Sequence, residues 1–124
     1  VTGRKSDKFV VKDSGARAEY ASGMVRDTQE GKPLFGLLRP EGVPFDEQFL
    51  TRAAIHMTKG AGKYGLRNWE KANGPEELIR FRESAERHLN QWLSGEDDED
   101  HAAAVLFNMI AAETVAWKME NQGE

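Results

Sequence analysis

Three stretches of the chain repeat apolar residues at steps of three and four, the spacing that lays one face of a helix against a core. Phe45, Phe49, Leu50, Ala53, Ala54 and Met57 form the first. Pro40, Gly42 and Pro44 break the chain ahead of it, Asp46 stands where a cap is wanted, and Gly60 or Gly62 offers an end. Pro75, Glu76 and Glu77 open the second, whose stripe of Phe81, Ala85, Leu89 and Trp92 runs to about Leu93 before Gly95 stops it. The third covers about residues 99–119 and has a different character. Ala103, Leu106, Phe107, Met109, Ile110, Val115 and Trp117 occupy most of its circumference. A helix apolar on nearly all sides is buried on several of them. In so small a domain this predicts a central helix that also meets a partner subunit, hence an oligomer.

Elsewhere the periodicity fails. Residues 1–32 scatter Gly3, Gly15, Gly23 and Gly31 among Lys, Arg, Asp and Ser, and read as an irregular arm. Plain disorder is the simplest reading of about its first 14 residues. The cluster Leu34, Phe35, Leu37 and Leu38 is the expected anchor of that arm. Lys63 to Gly74 is a turn-rich connection carrying Tyr64 and Trp69. No strand pattern of useful length and no repeat appears. The expected class is all-α: a bundle of three to four helices over residues 33–124, behind the irregular arm of residues 1–32 and completed by oligomerisation.

Composition narrows the chemistry. A chain of 124 residues forms one domain, and 31% charged against 39% apolar residues is too polar for a membrane protein. Val1 to Lys5 lead into no apolar run, so export is not expected and the cytoplasm is. Cysteine is absent, which excludes disulfides, thiol nucleophiles and zinc ribbons and leaves oxygen and imidazole as metal ligands. The net charge of −4 argues against broad binding to duplex nucleic acid, which needs a basic surface. A free triphosphate differs, because Mg²⁺ or Mn²⁺ lets an acidic pocket accept it.

On a wheel centred on Ala85, His88 falls about 60° from the middle of the stripe, Glu86 about 100°, and Glu83 and Arg87 about 160° on opposite sides. Those last three point to solvent or a second surface, and Glu83 with Arg87 suits a plain i, i+4 ion pair. His101 and Asn108 are the two polar groups on a strip shared with Ala104, Val105 and Ala112, where a buried polar group needs a partner, which a backbone carbonyl also supplies. The run from Glu96 to Asp100 admits two readings: a cap for the last helix, or carboxylates whose mutual repulsion a divalent ion relieves. Lys59 to Lys63 lacks the spacing of a phosphate loop and follows a helix, not a strand. Lys63 still suits phosphate as a point charge, and Tyr64 or Trp69 suits stacking on a purine or, equally, core packing.

The blocks Arg26-Asp27-Thr28 with Glu30-Gly31-Lys32, Gly62-Lys63-Tyr64-Gly65 with Asn68-Trp69-Glu70-Lys71, Ser84-Ala85 with Arg87-His88-Leu89, and Asp98-Glu99-Asp100-His101 with Asn108 come in an order and spacing that resembles the dATP/dGTP diphosphohydrolase family, found widely in phages. The resemblance runs from about residue 15 to residue 115. It implies hydrolysis of the α–β phosphate bond of a deoxypurine triphosphate to the monophosphate and pyrophosphate, and a part in phage nucleotide pools. The wider likeness is to MazG-like all-α pyrophosphohydrolases, whose metal site pairs an E-x-x-E on one helix with an E-x-x-D on the next. Glu83 to Glu86 has the first spacing. Glu96 to Glu99, or Asp97 to Asp100, stands in imperfectly for the second, closer to the first pair than is usual there.

On this reading Mg²⁺ or Mn²⁺ sits on some of Glu83, Glu86, Glu96, Glu99 and Asp100, and a carboxylate or His101 takes the proton of the attacking water. Glu83, Arg87, His88 and His101 are the catalytic candidates. Lys63 and Arg87 meet phosphate charge, while Tyr64, Asn68, Trp69 and Asn108 are candidates for base and sugar. The alternatives are a nucleotide-sequestering protein without turnover, which needs no metal-activated water, and a structural helical domain that no nucleotide stabilises.

Overall fold

A computed structural model describes residues 10–122. The expectation of disorder at the N-terminus falls largely on residues 1–9, outside the described residues. The chain divides into two units, the first ending at Phe35 and the second beginning at Gly36.

The first unit contains a short hairpin. Strand β1 (Arg17–Glu19) pairs antiparallel with β2 (Val25–Asp27), in the register Arg17 to Asp27 and Glu19 to Val25. Strands of three residues are too short to show the alternation that marks a strand in sequence, which is why an irregular arm was expected there. Gly23, at φ 92°, makes the turn, its amide donating to the Tyr20 carbonyl at 2.8 Å. The Asp27 carboxylate ties the unit together, accepting from the Ser14 hydroxyl and amide and from Lys32 Nζ at 3.2 Å. Those bonds, the Ser14 hydroxyl first, hold the Asp27 carboxyl down at about 2. Leu34, Phe35, Leu37 and Leu38 are all more than half exposed.

In the second unit, helix α1 (Phe49–Tyr64), helix α2 (Pro75–Leu93) and helix α3 (His101–Asn121) are joined by short links. Asp46 does not cap α1; it lies in a 3₁₀ turn, Phe45–Glu47, and Gln48 takes the cap position. Nor do Gly60 and Gly62 end the helix. An interior glycine costs only about 1 kcal/mol, whereas termination comes at Gly65, whose φ of 96° no continuing helix adopts. A second 3₁₀ turn, Asn68–Lys71, leads to α2. There the Glu77 carboxylate reaches back to the Asn73 and Gly74 amides, at 2.9 and 3.1 Å, and satisfies two donors beside the helix start.

Both α1 and α2 pack on α3, α2 the more extensively. By length and composition alone α3 could cross a membrane; here it is the helix on which the others rest. Lys118 holds the 3₁₀ turn against it, donating from Nζ to the carbonyls of Glu70 and Ala72. Phe107 meets the rings of His56, Trp69 and Phe81 at centroid distances of 5.7, 6.2 and 6.2 Å.

The buried apolar residues of the described chain are small: Ala53, Ala72, Ala103, Ala104, Ala111, Ala112 and Val115. The stripe of α2 is rotated from its expected centre. Its inner side is Leu78, Phe81, Ser84, Ala85, His88 and Gln91, with His88 the most buried, while Leu89 and Trp92 are exposed. Periodicity centred the stripe on Ala85; the alanine surface of α3 instead admits a close approach by the side that carries His88.

Candidate active site

Where the middle of α2 meets the start of α3, the seam is polar. His88 and His101 are both buried. Their Nδ1 atoms lie 2.8 Å apart and their ring centroids 5.1 Å apart. His101 Nε2 stands 2.7 Å from Asp98 Oδ1. An ionised carboxylate only accepts hydrogen bonds, so Nε2 of His101 carries a hydrogen, and in the neutral ring its Nδ1 holds a lone pair. His88 Nδ1 is then the donor between the rings. The three groups form one chain in which each proton position sets the next.

Burial lowers the His88 pKa from its ordinary value, the Arg87 cation acts the same way, and Glu99 opposes both. His88 is therefore a neutral imidazole at neutral pH. The hydrogen bond from His101 holds the Asp98 carboxyl below its usual range. His56 acts electrostatically on both His88 and Asp100.

Asp98, Glu99 and His101 each offer a ligand atom within 4.8 Å of the others, the two carboxylates exposed and the imidazole buried. Oxygen and imidazole donors together suit a divalent cation, and this trio could chelate one. Asp100 is committed elsewhere. Arg52 Nε and Nη2 meet its two oxygens at 2.8 and 2.9 Å, and the Ala103 amide donates to Oδ1 at 3.1 Å. That carboxyl is held below its usual range, first by Arg52. It caps α3 and clamps α1 to it, the bland member of the two readings of the acidic run. Glu96 and Glu99 are exposed and make no side-chain hydrogen bond among the described residues.

The remaining candidates scatter. Glu83, Glu86 and Arg87 lie on the exposed side of α2, and the ion pair between Glu83 and Arg87 does not form. Lys63 and Tyr64 are exposed at the end of α1, the Lys63 ammonium 5.2 Å from the Tyr64 ring centre. Asn108 is buried and donates to the Ala104 carbonyl at 2.8 Å, the backbone partner that had been the simple reading of its place. Asn68 and Trp69 do come together, lining a recess of about 340 Å³ with Lys71, Glu77, Arg80 and Phe81. Phe107 borders this recess through Trp69 and also meets the ring of His56.

Sequence reasoning did not single out Arg52, His56, Lys71 or Arg80, nor Asp98 as a ligand. Arg52 and His56 are one helical turn apart on α1, but only tertiary packing brings that side to Asp100 and His88. The family model described as dATP/dGTP diphosphohydrolase, N-terminal, matches residues 22–124, a segment holding all of these groups. No curated protein and no solved structure gives a match. The family match and the carboxylate–imidazole cluster together point to nucleotide hydrolysis.

Proposed function

The chain belongs to the dATP/dGTP diphosphohydrolase family, and on that premise we propose that it hydrolyses a deoxypurine triphosphate at the α–β bond, releasing the monophosphate and pyrophosphate. The observation that carries this reading is the gathering of Asp98, Glu99, His101 and His88 at one seam within the matched segment. Mg²⁺ or Mn²⁺ held there would neutralise triphosphate charge and make water a better nucleophile. Glu83, Glu86 and Glu96 are the further carboxylates that this reading assigns to the ion. Asp98 orients His101, and the proton of the attacking water goes to a carboxylate or an imidazole of this group. Arg87 and Lys63 meet the phosphates. Trp69 offers the base a stacking face, with Asn68 for its polar edge and Lys71 and Arg80 as nearby cations.

Self-association belongs to the same reading. A core of alanines and one valine is small for a stable fold, and Phe49, Leu89, Trp92, Ala102 and Val105 line an open groove beside Arg52. An obligate interface resembles a domain core cut in half, and the commonest such partner is a second copy. Nucleoside triphosphates place the proposed work in the cytoplasm, that of the host if the chain is phage-encoded.

The test is to incubate the protein with each deoxy- and ribonucleoside triphosphate in Mg²⁺ or Mn²⁺ and separate the products by ion exchange. Monophosphate and pyrophosphate from a purine, abolished by chelator, support the reading. A nucleotide that raises Tm without turnover would favour the sequestering alternative instead.

A further inference from the structure

The 3₁₀ turn Asn68–Lys71 is held more firmly than so short an element can hold itself. Hydrogen bonds within a 3₁₀ turn have poor geometry, yet this one is tied at its start, its middle and its end. Arg67, which leads into it, adopts φ 58° and ψ 22°, and among the described residues it is the one non-glycine in the left-handed region. Such a backbone persists in an arginine only where its surroundings impose it, and Arg67 Nη1 meets Glu70 Oε1 at 2.5 Å. Trp69 packs edge-on against Phe107, with ring planes 88° apart. At the end of the turn no further helix supplies amide donors for the Glu70 and Ala72 carbonyls. Both accept from Lys118 Nζ instead. Ala72 is buried, where a carbonyl without a partner is costly.

We propose that Lys118 is a positioning residue for recognition of the nucleotide base: by holding the end of this turn to α3 it fixes the recess wall made by Asn68 and Trp69. The inference rests on the reading of that recess as the base site. Trp69 lines it from the turn and Phe81 from α2, and both rings stand on Phe107 at 6.2 Å. A stacking face contributes most when it is already in place, because ordering it on binding would cost affinity. An ammonium suits the task, since its three donors let one atom serve two carbonyls.

The placement also says which end of the substrate Lys118 governs. Phe81 and His88 share the inner side of α2, two turns and about 10 Å apart along its axis, a separation that a nucleoside triphosphate spans with its base at one end and its phosphates at the other. Lys118 lies about 25 Å along α3 from His101. It therefore acts on the base end and leaves the phosphate end alone.

The experiment measures binding without turnover. Calorimetry with full-length protein and Mg²⁺ compares α,β-methylene analogues of the two deoxypurine triphosphates with inorganic tripolyphosphate, which has no base. Lys118→Met, which keeps the stem and removes the ammonium, should weaken analogue binding about 10-fold, as expected for a lost or misplaced stacking face. Tripolyphosphate affinity should not change. Amide exchange at Ala72, whose N–H donates to the Trp69 carbonyl at 3.2 Å, should quicken while that of the helices does not. Lys118→Arg should restore analogue binding. Lys118→Gln, with a shorter neutral donor, should fall between the two and carries the test if the methionine variant does not fold. Equal weakening of analogue and tripolyphosphate would mean a merely structural role and overturn the proposal, as would no weakening of either. Trp69→Ala separates the two levels of the inference. If it weakens analogue binding and Lys118→Met does not, the positioning role alone fails; if it has no effect, the base lies elsewhere and the recess reading fails with it. Base-dependent binding that responds to Lys118, with no product from any triphosphate, supports the positioning role and counts against the hydrolase reading alone.

Discussion

The two sides of α2 reverse the usual order of a small domain. The inner side carries His88 and Ser84 against His101, Asn108 and alanines, while the outer side shows Leu89, Trp92 and Leu93 to solvent. Polar groups inside and large apolar groups outside make poor sense for a lone monomer, where burial of large side chains supplies most of the stability. They make sense if the seam is a site and the outer side an interface. A polar seam between helices is tolerable when its members are hydrogen-bonded, and here both nitrogens of His101 and Nδ1 of His88 have partners.

Breaking the outer side should have the largest effect. Leu89→Glu combined with Trp92→Glu introduces two charges into the groove, and sizing chromatography with light scattering should show an assembly reduced to monomers, with Tm lowered by 10 °C or more, roughly 2–3 kcal/mol. An unchanged mass would mean that the groove is not the interface. Breaking the inner side at its exposed edge should separate chemistry from stability: Glu99→Gln is expected to lower kcat about 100-fold while Tm stays within about 2 °C.

The clamp between α1 and α3 is a smaller matter. Arg52→Ala removes both bonds to Asp100 and should cost about 1 kcal/mol, discounted because the pair is about one-third exposed. Since the folded Asp100 carboxyl is held below its ordinary value, the contribution is present above the ordinary carboxylate range and fades as the pH falls through its folded value. Wild type and variant should therefore converge in acid. The smallest effect belongs to the other unit. Asp27→Asn should loosen the hairpin, read as faster amide exchange at Ser14 and Gly23, with no change in the Tm of the helices. In wild type that protection should hold at pH 5 and fall away towards pH 2, where the carboxyl of Asp27 gains its proton.

Periodicity made the helices legible, because α2 and α3 each repeat their pattern for about five turns. Ends were less so. Asp46 has the right chemistry for a cap and Gly60 for a stop, but caps are settled by backbone angles that single residues only bias. The site was legible in its residues more than in its grouping. Asn68 with Trp69 and the segment from Asp98 to His101 are near neighbours in sequence, so their association survived folding. His88 with His101, and Arg52 with Asp100, join helices through packing that no local pattern encodes. The stripe of α2 misled because Leu89 and Trp92 recur at helical steps yet lie exposed, while His88 takes the buried place beside α3.

The most direct test is ³¹P NMR of a deoxypurine triphosphate mixed with the protein and a divalent ion. The account predicts loss of all three triphosphate signals and equal growth of pyrophosphate and monophosphate, halted by chelator and slowed in Glu99→Gln. Orthophosphate with the nucleoside diphosphate, or a substrate spectrum unchanged after long incubation with every metal, would contradict it.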